Sequence, residues 1–373
     1  YLFGKGKINS IVILAPKGVH SKWVLKDLPD DIPDYVDYRA AVWRSGNKKA
    51  IEECENLLTP GQFLRAVSVN IEALSRDDSD AEKFLYRFMN ATDAMLIIDE
   101  SHTIKNPDAK RTKRVLKLGN KAAYKRILTG TVTTGNIFDL YSQFSFLSEQ
   151  IFGQSYYSFK HQYADILPDT HPTIVAIRAR GAKFTPTIVA KDSSGRPIWK
   201  NLDKLKETIQ PHSFTCRLED CTDLPATIYE SAMYELEPKQ RKMYEELKKQ
   251  ARVELENDSV TVLHKMTMLL RLQQIVGGFL PTDNGEMHSI FAKPEDNPRV
   301  QALMTLIESL EVEEEQAIIW CRFTAEIKML EKLLGDKCFS LFGETKNRNL
   351  SKIGLWPVND HSWLPTSQLA VRV

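Results

Sequence analysis

The sequence predicts an α/β protein built on parallel sheets, and two observations carry that prediction. The runs Ile11-Val12-Ile13-Leu14-Ala15, Ala94-Met95-Leu96-Ile97-Ile98 and Ala317-Ile318-Ile319-Trp320-Cys321 each hold five apolar residues. That is too short for a globular helix, so they read as strands buried on both faces of a sheet. Helical spacing of apolar residues recurs elsewhere, as at Ile327, Leu330, Leu333 and Leu334. At 373 residues the chain exceeds what one hydrophobic core usually sustains, about 250–300 residues, so two or three domains are expected.

Hydrophobic residues make up 42% and charged residues 27% of the chain, and net charge is +1. This is the balance of an ordinary globular protein, and any surface for a polyanion must be local. No run approaches about 18 apolar residues, so no membrane span is expected, and Tyr1 opens no signal peptide. Cys54, Cys216, Cys221, Cys321 and Cys338 form an odd, scattered set, which fits a reducing compartment. Cys216 and Cys221 lack metal-ligand spacing and a second ligand pair, so no zinc site is expected.

The first strand stops at Pro16 and is followed by Lys17, Gly18, Ser21, Lys22 and Trp23. Gly18 permits close backbone approach, and Ser21 and Lys22 can donate to phosphate; Trp23 reads as core. Residues 63–69 form a weaker strand leading to Asn70-Ile71-Glu72, and residues 77–80 an acidic loop. The strand ending at Ile98 delivers Asp99 and Glu100 to the carboxyl edge of its sheet, where α/β proteins bind ligands. Hard cations such as Mg²⁺ take oxygen ligands. One acid on the metal and the next orienting a water is the arrangement of nucleotide hydrolases.

Asn106 and Pro107 predict a helix start, with a capping side chain before a proline. Nine Lys or Arg stand against three acids between Asp99 and Arg126, a run suited either to a solvated face or to attracting phosphates. Residues 124–128 read as another strand, ending at Thr129-Gly130-Thr131. Residues 155–200 carry β-prone pieces such as Pro172-Thr173-Ile174-Val175-Ala176-Ile177. A short helix follows at 202–209, a strand at 228–236, helices from Glu237-Pro238 and over 263–278, and another at 300–310.

With Asp-Glu-Ser-His at 99–102 and Ile-Lys-Asn at 104–106, the chain resembles the Swi/Snf-type ATPases of helicase superfamily two, at their motif II. Other segments match in the family's order. The strand, Ala15-Pro16 and loop to Trp23 look like motif Ia, and Asn70-Ile71-Glu72 is similar in position to motif Ib. Residues 124–131 look like motif III, although Val132 stands where the family has Pro. Residues 138–153 match the helix after it, and Arg217 to Pro225 a segment whose first arginine is here Cys216. Arg322-Phe323-Thr324 is similar to motif IV, and Gly343 to Thr345 to an Asp-Gly-x-Thr segment with Phe342 in place of the acid.

The resemblance implies two RecA-like lobes with parallel sheets, joined by a largely helical insertion region. Residues 1–155 would be the first lobe without its phosphate-loop segment, and 156–296 the insertion, helical protrusions and inter-lobe bridge. Residues 297–353 would begin the second lobe, with 354–373 unassigned. It implies an ATP- and Mg²⁺-dependent translocase on double-stranded DNA, read without sequence preference. Asp99 would hold the metal, Glu100 would orient the attacking water, and both would face nucleotide. His102 and Thr129 to Thr131 would couple that site to DNA. Lys17, Gly18, Ser21, Lys22, Thr129, Gly130, Thr131, Arg322 and Thr345 would contact nucleic acid. The expected setting is intracellular, in the nucleus of a eukaryote or the cytoplasm or nucleoid of a bacterium or virus; no protein partner is specified. No Gly-x-x-x-x-Gly-Lys-Ser/Thr occurs in the sequence, and the family's motifs V and VI do not follow Ile353. A piece of a longer chain, or joined pieces of one, is therefore expected, and these 373 residues alone should not hydrolyse ATP. The alternatives are a non-hydrolysing DNA-binding or scaffolding module, and the motor subunit of a restriction or phage-defence complex.

Overall fold

The computed structural model describes residues 1–179, 181, 187–223, 225, 227–256, 262–282, 286–312, 316–342 and 367–372. The chain divides into two compact units, Tyr1–Asp223 and Leu224–Val373.

The first unit is built on a five-stranded parallel sheet. Its strands are β1 (Ser10–Ala15), β2 (Tyr38–Val42), β3 (Leu64–Asn70), β4 (Ala94–Asp99) and β5 (Tyr124–Leu128), in the order β2-β3-β1-β4-β5. Parallel neighbours require long crossovers, and the helices Lys48–Asn56, Asp80–Asn90 and Lys110–Gly119 lie within them. These helices pack Cys54, Phe84, Leu85, Phe88, Val115 and Leu118 against Val12, Leu14, Val67, Leu96 and Ile98 on one sheet face. The opposite face carries a smaller cluster, in which Trp23, Val24 and Leu28 cover Ile13, Ala15 and Ala66. Central β1 is therefore buried on both faces, as its sequence predicts. Strand β4 buries Ala94, Leu96 and Ile98 completely, but Met95 and Ile97 only in part, because the second face has the thinner cover.

All five strands point the same way, so the residues after β1, β3, β4 and β5 share one edge of the sheet. Pairings of Ala15 with Asn70, Leu14 with Ile98 and Asp99 with Leu128 fix that edge. The helix Leu140–Leu147 lies between two cores: Phe146 joins the main one, while Leu140, Tyr141 and Phe144 join an aromatic cluster with Phe159, Tyr163 and Leu205. With apolar neighbours on both sides, its Ser142 and Gln143 are also wholly buried.

Three sequence expectations need correction. The helix expected at Asn106-Pro107 starts at Lys110, because Asn106 Oδ1 instead accepts from Asp108 N at 3.0 Å and closes a turn. The β-prone stretch at Pro172 is a helix, Pro172–Ala179; proline at its start fits helical geometry, and Ile174 is buried. The strand expected over 228–236 lies in no sheet: Ile228, Tyr229 and Met233 are exposed, and strands are stable only when their backbone groups are paired.

The second unit begins with the helices Pro238–Glu256 and Val262–Gly277. Buried Gln240 ties them, donating from Nε2 to the Ile275 and Val276 carbonyls at 2.7 and 3.2 Å. Gly278 ends the second helix at φ +89°, where a Cβ would lie 2.5 Å from Asn297 Nδ2. A hairpin of β6 (Phe279–Pro281) and β7 (Met287–Ser289) follows, then the helix Pro298–Val312. Strands β8 (Gln316–Trp320) and β9 (Cys338–Phe342) run in the same direction. Between them β10 (Ser367–Arg372), in a stretch left unassigned from sequence, pairs antiparallel to both. The helix Thr324–Leu334 closes the core with Ile327, Leu330 and Leu334.

Candidate active site

Asp99 is the last residue of β4, and Glu100 turns the chain out of the sheet. Glu100 adopts φ 51°, ψ 57°, a left-handed conformation that costs a non-glycine residue about 1–3 kcal/mol and that clusters at functional sites. The tight turn Ser101–Ile104 follows, held by buried Ser101 and Ile104.

The acids differ in their partners. Asp99 Oδ1 accepts from Glu100 N at 3.0 Å, and Oδ2 accepts from the Trp23 indole N–H at 2.9 Å. Each oxygen keeps a lone pair for a further ligand. Glu100 Oε2 accepts from Thr129 Oγ1 at 3.3 Å and lies 3.0 Å from His102 Nδ1, a close approach without the alignment of a hydrogen bond. Thr129 Oγ1 also accepts from Thr131 N at 3.1 Å. Asp99, Glu100, His102, Thr129 and Thr131 therefore form one connected group, with Gly130 exposed inside its loop.

Among the described residues no cluster of three His, Cys, Asp or Glu could by itself hold a metal. One carboxylate with free lone pairs fits Mg²⁺, which keeps waters and takes phosphate oxygens, better than a metal caged by protein alone. Asp99 is the residue that would hold it.

The loop after β1 lies at the same sheet edge. Exposed Gly18 has φ +99°, and Lys17 N donates to Glu72 Oε2 at 3.1 Å, so the loops after β1 and β3 are joined. Ser21 is half-buried, and Lys22 is paired with Asp27 at 3.7 Å. Burial pushes the His20 imidazole below its ordinary pKa, and Arg44 and Lys17 add to that against Pro16 and Glu72. Arg322 is exposed and belongs to the other compact unit, where its backbone N–H donates to Glu326 Oε2 at 3.0 Å. Thr345, with the segment from Gly343, lies outside the described residues.

The basic run after Glu100 is partly committed within the fold. Lys110 and Arg114 pair with Asp77 at 2.6 Å, Arg114 also with Glu82 at 3.1 Å, and Lys121 donates to Asn90 at 2.7 Å. Lys110 and then Arg114 hold the Asp77 carboxyl below its ordinary pKa. The run's first task is to fasten the helix Lys110–Gly119 to the loop before the helix Asp80–Asn90.

The family model described as the SNF2-related domain matches residues 3–277. The chain belongs to the SNF2-related domain family. This SNF2-related chain is 28% identical over 152 residues to a probable chromatin-remodeling complex ATPase chain of Oryza sativa subsp. japonica. The match covers 40% of this chain and 12% of that protein. It is 31% identical over 151 residues to the TATA-binding protein-associated factor BTAF1 of Arabidopsis thaliana, covering 40% of this chain and 6% of the relative. The SNF2-related chain thus spans a small part of the curated relatives it matches. A Sulfolobus solfataricus SWI2/SNF2 ATPase core in complex with dsDNA matches at 22% identity and a TM-score of 0.40. That match covers 89% of this chain and 60% of that one. Among the described residues no helix is long and apolar enough to cross a membrane.

Sequence reasoning missed the indole on Asp99 and the buried pair Ser101 and Gln143. Their signal was weak: a tryptophan that read as core, and one amide within the aromatic-rich stretch from Phe138 to Phe146.

Proposed function

We propose that this SNF2-related chain is the ATP-dependent motor of a double-stranded DNA translocase or remodelling enzyme. The observation that carries this reading is the acidic pair at the carboxyl end of β4, with Glu100 in left-handed backbone between His102 and Thr129. Asp99 holds Mg²⁺, its orientation set by Trp23 and Glu100 N. Glu100 orients and polarises the attacking water. ATP with Mg²⁺ supplies the phosphoryl group and the charge neutralisation that its transfer requires. His102 and the loop of Thr129, Gly130 and Thr131 link the acid to the nucleic-acid side. Lys17, Gly18, Ser21 and Lys22 contact the phosphate backbone, Arg322 of the other unit is a phosphate contact in its own right, and none reads base edges.

The domain reading is part of the same proposal. Residues 1–155 form a RecA-like first lobe, 156–296 the insertion, protrusions and bridge, and 297–353 the start of the second lobe. If this chain is eukaryotic, such a motor works in the nucleus, a reading supported by the relative named for chromatin remodelling. Phosphate release by the full-length gene product, with and without duplex DNA, tests the reading. DNA-stimulated turnover is expected; DNA binding without turnover would instead favour a non-hydrolysing binding module.

A further inference from the structure

Gln143 lies in the 138–153 stretch that matches the family's helix after motif III, where the sequence gives it no role of its own, and its side chain joins two segments of the candidate site. It is fully buried on the helix Leu140–Leu147. Its Oε1 accepts from Ser101 Oγ at 2.6 Å, in the turn directly after Glu100. Its Nε2 donates to the carbonyl of Val132 at 2.8 Å, in the loop after β5, and to that of Asp139 at 2.8 Å. Both amide hydrogens are used and the carbonyl is engaged. A buried amide satisfied in this way is costly to disturb, because each partner left behind is a desolvated polar group.

Two neighbours reinforce the clamp. Ser142 Oγ donates to the Lys105 carbonyl at 3.2 Å, holding the far end of the same turn. The Asp139 carboxylate accepts from Thr134 N at 3.0 Å and Thr134 Oγ1 at 2.7 Å, and it lies 3.6 Å from Lys105 Nζ. The loop from Thr129 to Thr134 is thus fastened to the acidic turn directly, by Thr129 on Glu100, and through one helix, by Gln143 and Asp139.

We propose that Gln143 is a positioning residue that keeps the Glu100 turn and the Thr129 to Thr134 loop in one register, so that a shift of either moves the other. This rests on the function proposed above, in which the turn serves hydrolysis and the loop senses DNA. Ser101 is its partner in the turn. Small shifts are transmitted through such packed, fully bonded elements because they have discrete arrangements rather than a continuum.

The test uses the full-length gene product, ATP and a duplex of arbitrary sequence. Its readout is the ratio of DNA-stimulated to unstimulated turnover. That ratio is insensitive to the fraction of correctly folded enzyme, so a general loss of structure would leave it unchanged. Gln143→Met keeps the side-chain length and removes all three hydrogen bonds. The ratio should fall by about tenfold, within the range of coupling between linked sites, with KM for ATP within about twofold of the parent. Ser101→Ala deletes one hydroxyl and serves if Gln143→Met does not fold; it should lower the ratio about fivefold. The double variant should be no worse than Gln143→Met alone, since both act through one connection.

A ratio within about twofold of the parent in either single variant would overturn the proposal, as would losses that simply multiply in the double variant. Glu100→Gln in the same assay separates the two levels. If it is inactive while the Gln143 variant keeps the parental ratio, only the positioning role fails. If it turns over like the parent, the reading of the site fails and takes the proposal with it.

Discussion

At the scale of single residues, His20 links the fold to pH. It begins the short helix His20–Lys22, with its carbonyl accepting from Ser68 Oγ at 2.6 Å. Burial first, then Arg44 and Lys17, hold its pKa below the ordinary value, so the unfolded chain takes up the proton before the folded one. The His20 contribution is therefore complete above about pH 6.5, the unfolded value, and is lost as pH falls through the depressed folded value. Thermal unfolding from pH 8 to pH 5 should show a decline in stability that His20→Gln reduces by up to one proton's slope. An identical decline in that variant would assign the effect to other groups. Asp99, Glu100 and His102 could be proposed from the sequence because they stand close together just after an apolar run. Trp23 and Gln143 could not, because their partners lie 76 and 42 positions away and only folding brings them together.

At the scale of elements, the stretch from Lys17 to Lys22 is the phosphate contact proposed for the first unit. It combines Gly18 in left-handed backbone, an exposed lysine and a hydroxyl, and it offers no recognition helix. DNA affinity should therefore vary little between duplexes of unrelated sequence. It should also fall by about tenfold between about 50 and 200 mM salt if Lys17 and Lys22 each neutralise one phosphate. Filter binding or fluorescence anisotropy would show this, and Lys17→Ala should reduce the salt slope by about one. A salt-insensitive affinity would exclude the loop as a phosphate contact. Elements with strong periodicity were readable: β1, β4, β5, the helix Leu202–Ile209 and the helix Thr324–Leu334 stand where the sequence put them. The misread ones depended on distant partners. A β-prone stretch at Ile228 found no neighbouring strand, and Pro172 started a helix that Ile174 anchors into the fold.

At the scale of the whole molecule, the parallel sheet presents its acidic pair at one edge, and no phosphate-cradling glycine loop occurs in these residues. Two carboxylates repel a triphosphate unless Mg²⁺ bridges them, and such a bridge is weak without a backbone cradle and its lysine. The isolated 373-residue polypeptide should accordingly show no ATPase activity with or without DNA; DNA-stimulated turnover would mean that another segment replaces the loop. The α/β class was legible at this scale because buried strands have a local signature. The strand order was not, since it is set by crossovers rather than by any one segment.

In the proposed function Glu100 orients the water that attacks ATP, and one substitution in the full-length gene product probes that role. Glu100→Gln preserves size and removes only the charge, so Mg²⁺-nucleotide binding should persist within a few-fold while turnover falls by about a hundredfold or more. Asp99→Asn, in the same titrations with and without Mg²⁺, should weaken nucleotide binding itself. Hydrolysis by Glu100→Gln within a few-fold of the parent would contradict the assignment.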